Sequence, residues 1–174
     1  TRENLEGKLY KMAKSVRGGK AKVYVFYSGH GAPSLKGNKT YIVPSSSSMG
    51  NIEFEGYPID LLMKNLANLP AETITLVMDA CFSGKTETDF LYKEISPAML
   101  KVKSLKVLQG LNVFSASRND QVSSWYPKAR HGVFTYYFLA GMKGEADANG
   151  DGQITNGEME IYLEEMVPAK VNEL

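Results

Sequence analysis

The chain has 174 residues, 43% hydrophobic and 22% charged, enough apolar material for about one globular domain with its own core. A net charge of +1 gives no electrostatic case for nucleic acid or an anionic membrane, since both require a basic face. No apolar run approaches the roughly 20 residues of a membrane span, and a single cysteine excludes an internal disulfide while suiting either redox compartment. The expectation is a soluble chain of open localisation. It starts at Thr1 with no visible signal peptide, which leaves room for an upstream segment.

Leu5, Leu9, Met12, Ala13 and Val16 recur at helical spacing over 2–17, and Gly18-Gly19 end the pattern. Next, Lys22-Val23-Tyr24-Val25-Phe26-Tyr27 reads as a strand running into Ser28-Gly29-His30-Gly31. A polar loop is expected over 32–39 and a short strand over 40–43, closed by Pro44, with a flexible serine-rich surface loop after it. Ile59, Leu61, Leu62, Leu66 and Leu69 predict a helix over about 58–69, ended by Pro70. Thr73-Ile74-Thr75-Leu76-Val77-Met78 is a β-branched apolar run that stops at Asp79-Ala80-Cys81-Phe82-Ser83-Gly84. Such a run fits a parallel strand covered on both faces, in a sheet whose ligands lie at the strands' carboxyl ends. The fold class predicted is α/β, with a mostly parallel central sheet and helices on both faces.

Cys81 sits at such a strand end. A sole cysteine has packing, metal binding or nucleophilic chemistry open to it. His30 emerges from a second strand end of the same design, and there are only two histidines in the chain. A thiol needs a nearby imidazole to make or stabilise its thiolate, and two parallel strands ending side by side would supply one. The glycines at 29, 31 and 84 leave room for a substrate backbone. A structural histidine beside a buried cysteine is the alternative.

Residues 85–109 mix acids with lysines at 85, 93, 101, 103 and 106, as a solvated loop with an amphipathic turn would. A strand follows at 111–117, then a polar loop, and Ser123-Ser124-Trp125-Tyr126 leads to an aromatic-rich helix over 133–143. Asp147, Asn149, Asp151, Gln153 and Glu158 fit the spacing of a twelve-residue calcium loop, with Thr155 as a further ligand and Gly152 at the sharp turn. The same stretch also reads as an Asx-rich turn capping a helix over 156–167.

Tyr27-Ser28-Gly29-His30-Gly31, followed 51 residues after the histidine by Cys81 within Asp79-Ala80-Cys81-Phe82-Ser83-Gly84, resembles the caspase-like cysteine peptidases of family C14, in their metacaspase and bacterial orthocaspase branch. Caspases place their histidine about 50 residues before the cysteine. Residues 114–117 and 131–138 are similar to the small-subunit strand and helix of that family, so the resemblance covers most of 20–167.

The resemblance implies a single three-layer caspase-like domain over 1–174, large-subunit-like over 1–84, with a linker at 85–110 and a small-subunit-like part over 111–174. It implies Cys81 and His30 as the catalytic dyad, with the N–H groups of Gly31 and Cys81 as the oxyanion hole. The linker lysines become candidate self-cleavage sites, and Ser124 and Trp125 candidate walls of the substrate groove. Caspases that cut after aspartate carry glutamine two residues before the cysteine; here that residue is Asp79, whose carboxylate would favour Arg or Lys at the cleavage site. Asp79 could instead be a strand-end cap. The activity expected is peptide hydrolysis after Arg or Lys in protein or peptide substrates. The chemistry requires no cofactor, with calcium the candidate ion. Family domains carry strands before the first helix seen here and beyond Leu174, so a companion segment of the same polypeptide is expected. The competing readings are a catalytically silent caspase-like scaffold and a calcium-responsive binding module.

Overall fold

The structure, a computed structural model, describes residues 1–34, 39–80, 110–116 and 125–174. The chain forms two compact units, Thr1–Val122 and Ser123–Leu174. The first contains α1 (Arg2–Ser15), β1 (Lys22–Ser28), β2 (Gly31–Pro33), β3 (Thr40–Ile42), α2 (Ile52–Glu55), β4 (Tyr57–Pro58), α3 (Ile59–Ala67), β5 (Thr73–Asp79) and β6 (Leu111–Ser115).

The main sheet is parallel, in the order β1-β5-β6. Strand alternation sends Val23, Val25 and Tyr27, with Ile74, Leu76, Met78, Leu111 and Val113, to one face. There they pack with Leu5, Leu9, Met12 and Ala13 of α1 and with Ile59, Leu62, Met63 and Leu66 of α3. The two predicted amphipathic helices thus cover the same face of the sheet. β5 is the central strand and is buried from Ile74 to Asp79 on both faces, which explains its nearly unbroken apolar sequence. β1 has β5 as its one strand neighbour among the described residues, and Tyr24 and Phe26 on its other face are exposed.

A second, antiparallel sheet has the order β2-β3-β4. Its first strand occupies residues expected to open a polar loop. Ala32 and Pro33 are buried, and Ala32 pairs with Tyr41, so the turn after His30 folds inward. The serine run is also anchored, because the Ser48 N–H donates to the Glu55 carboxylate at 2.7 Å.

The second unit holds a short hairpin of β7 (Trp125–Tyr126) and β8 (His131–Gly132), then α4 (Val133–Ala140), a π-helical turn over Gly141–Glu145, and α5 (Asn156–Asn172). α5 was expected to stop before Pro168 but continues through it to Asn172. The proline removes one N–H from the helix. Side-chain contacts hold the last turns: the Lys170 ammonium lies 4.9 Å from the centre of the Tyr126 ring and 2.7 Å from the Glu173 carboxylate. Among the described residues no helix is long and apolar enough to cross a membrane.

Because Leu76 is fully buried at the middle of β5, Leu76→Ala should lower unfolding stability by roughly 2–5 kcal/mol in chemical denaturation. A loss below about 0.5 kcal/mol, the range typical of surface changes, would mean that β5 is not the centre of the core.

Candidate active site

β1 and β5 run in register from Lys22 beside Thr73 to Ser28 beside Asp79, so their carboxyl ends are level. One further bond, from the Gly29 N–H to the Asp79 carbonyl at 3.3 Å, carries the pairing a residue past β1. The chain then turns at His30, which is exposed, into the buried β2. This is the carboxyl-end side of the parallel strands, the side on which open α/β sheets place their ligands.

The His30 backbone is held on two sides. Its carbonyl accepts from the Val43 N–H at 3.0 Å and from the Tyr27 hydroxyl at 2.7 Å. Burial pushes the Tyr27 phenol up to about 12, although a hydrogen bond with the Val43 backbone works the other way, so it stays protonated across the ordinary working range. Gly29 makes this closure possible. A Cβ there would lie 2.8 Å from the Tyr27 hydroxyl oxygen, displacing the ring from the His30 carbonyl.

Gly31 pairs with Ile42. The flanking pairs, His30 with Val43 and Ser34 with Lys39, carry the backbone hydrogen bonds. By the alternation of antiparallel ladders, Gly31 therefore falls in a non-hydrogen-bonded pair, with its N–H directed away from β3. Asp79 is buried at the end of β5, and alternation puts its side chain on the face shared with Ser28, opposite the α1–α3 core.

Residues 1–166 match the sequence model of the caspase domain, peptidase C14. The chain belongs to the caspase-domain family. Members of that family are cysteine peptidases acting on proteins, and the α/β architecture with its parallel sheet is consistent with their fold. No curated protein matches the chain significantly.

Within this caspase domain the structure brings together His30, Gly31 and Asp79 at the ends of β1 and β5. The expected nucleophile Cys81 and the groove residue Ser124 lie outside the described residues, as does nearly all of the 85–110 linker. Trp125 begins β7 in the second unit, where it is half exposed and pairs with Gly132. Sequence reading missed Tyr27 and Val43 as parts of the site. Both look like ordinary strand residues, and Val43 reaches His30 only through the β2–β3 hairpin.

The loop expected to hold calcium is built on backbone N–H groups. Asp147 accepts from Gly150, Asp151 and Gly152, Asn149 accepts from Asp151, and Asp151 accepts from Gln153, at 2.8–3.2 Å. Gly152 has a φ of +78°, as the sharp turn requires. Its oxygen donors suit a hard cation in chemistry. Among the described residues, however, no three His, Cys, Asp or Glu side chains converge closely enough to hold a metal ion. Glu158 is turned to the helix start, where its carboxylate accepts from the Thr155 N–H and hydroxyl while Thr155 caps the Glu158 N–H.

Those bonds from Thr155 hold the Glu158 carboxyl below the ordinary range. A carboxyl depressed by folding contributes stability that is present above its unfolded pKa and is lost as pH falls through the folded one. A carbon-detected titration should therefore give Glu158 a midpoint below that of an unstructured glutamyl peptide, and the midpoint should rise in Thr155→Ala. Equal midpoints in the two proteins would contradict the capping box.

Proposed function

We propose that the chain is a cysteine endopeptidase of the metacaspase and orthocaspase type, cleaving after Arg or Lys through Cys81 and His30. The observation that supports this reading most strongly is the register of β1 with β5, which levels the His30 turn with the strand end two residues before Cys81. Two trans peptide units limit the Cα of Cys81 to about 7.6 Å from that of Asp79. Neighbouring strands are about 4.8 Å apart. That short connection favours pairing of the Cys81 thiol with the histidine.

In the proposed reaction the Cys81 thiolate adds to the scissile carbonyl. The oxyanion of the tetrahedral adduct is stabilised by the N–H groups of Gly31 and Cys81, and the direction of the Gly31 N–H away from β3 favours that role. Collapse of the adduct breaks the C–N bond, and His30 gives its proton to the departing amine. Water, deprotonated by His30, then hydrolyses the thioester and regenerates the thiol. Asp79, buried beside the crevice, supplies the charge that selects a basic residue, with Ser124 and Trp125 as groove walls. The linker lysines are candidate sites of self-cleavage. The exposed face of β1 suits a companion segment of the same polypeptide.

We assign the 147–158 loop to calcium on donor chemistry alone, with Asp147, Asn149, Asp151, Gln153 and Glu158 as its ligands, and no step of the hydrolysis passes through it. Titration calorimetry should show calcium heat in the native chain that is lost in Glu158→Gln; no heat in the native chain removes the ion. Peptide assays decide the main reading. Arginyl and lysyl fluorogenic peptides should be cleaved and aspartyl ones not, Cys81→Ala should abolish turnover, and Asp79→Asn should lower kcat/KM for the arginyl peptide about tenfold or more, near 1.4 kcal/mol. Faster cleavage after aspartate would overturn the specificity, and undiminished turnover by Cys81→Ala would overturn the mechanism. Folded protein without turnover or labelling by an arginyl electrophile would favour the silent scaffold.

A further inference from the structure

We propose that Tyr27 is a positioning residue for His30, its phenol O–H fixing the backbone that carries the imidazole in the turn after β1. The inference rests on the reading of His30 as the general acid and base, and it adds a residue outside the reacting groups. Three hydrogen bonds fasten the turn: the Gly29 N–H to the Asp79 carbonyl, the Val43 N–H to the His30 carbonyl, and the Tyr27 hydroxyl to that same carbonyl. The first two are backbone bonds, supplied whatever the side chains. The third depends on a single oxygen.

That oxygen is well placed for the task. The Tyr27 ring packs against the α1–α3 core, so the hydroxyl is delivered from a fixed body rather than from a mobile surface side chain. Its 2.7 Å bond reaches forward three residues and spans Gly29, where a Cβ would strike the hydroxyl. The glycine and the tyrosine form one device. Gly29 clears the space, and Tyr27 uses it to hold His30.

The arrangement also separates positioning from stability. Phenylalanine at 27 keeps the ring packing, and the His30 carbonyl keeps its bond from Val43, so no buried acceptor is left without a partner. Release of one of the two ties to the His30 carbonyl moves the imidazole without unfolding the sheet, and displacements of about 1 Å at reacting groups cost on the order of a hundredfold in rate.

The test compares native chain, Tyr27→Phe and Gly29→Ala on one arginyl peptide, together with carbon relaxation of the His30 ring in a Cys81→Ala background. Expected are a kcat about tenfold or more lower in Tyr27→Phe with KM within about twofold, a thermal midpoint close to native, and a more mobile His30 ring. Gly29→Ala should move kcat and ring mobility the same way. An unchanged kcat in Tyr27→Phe overturns the proposal. If the native chain itself does not turn over, the peptidase reading fails, and ring relaxation still decides: equal mobility of His30 with Tyr or Phe at 27 rejects the positioning role, and greater mobility with Phe upholds the tie.

Discussion

The in-register parallel pairing of β1 with β5 is the constraint from which the candidate site follows. Seven residue pairs, from Lys22 beside Thr73 to Ser28 beside Asp79, bring two strands of equal length to a common end. Side chains alternate with a period of two, so a slip of one residue would turn Val23, Val25 and Tyr27 out of the core and bring Tyr24 and Phe26 in. The packing of α1 and α3 against the first set fixes the register. The hydrophobic core therefore also sets how far along β5 the His30 turn begins.

Around that fixed point the candidate site combines a rigid frame with an exposed histidine. β5 is buried throughout its apolar length, Asp79 is buried at its end, and His30 stands in the open one residue past the Gly29 tie to Asp79. The β2–β3–β4 sheet supplies the other wall, because Val43 anchors the His30 carbonyl and the β2 pairing directs the Gly31 N–H outward.

The sequence made legible those elements whose patterns are long and periodic. α1 and α3 were readable from helical spacing, and β1, β5 and β6 from apolar runs ended by turn residues. His30 and Asp79 could be placed at adjacent strand ends because both runs stop at a glycine-rich or acidic boundary. Of the small second sheet only β3 was legible, as the short run at 40–43 closed by Pro44; β2 and β4, with three and two residues, have too few positions to show a period. α5 was cut short in the reading because Pro168 is a strong local stop signal, yet the helix runs through it to Asn172 in the folded chain. The Tyr27 tie was hidden for a different reason: alternation tells which way a side chain points, not which carbonyl its terminal oxygen meets. The family match over residues 1–166 supplies the class of chemistry that no single strand could establish.

The most direct test of the shared crevice is thiol reactivity, because Cys81 is the sole cysteine and alkylation reports on it alone. The rate of modification by iodoacetamide is measured against pH in the native chain and in His30→Ala. The account predicts that loss of His30 moves the inflection up toward the ordinary thiol value of about 8.5 and slows reaction near neutral pH. Superimposable profiles would contradict it, because a thiol indifferent to His30 cannot share a proton with it.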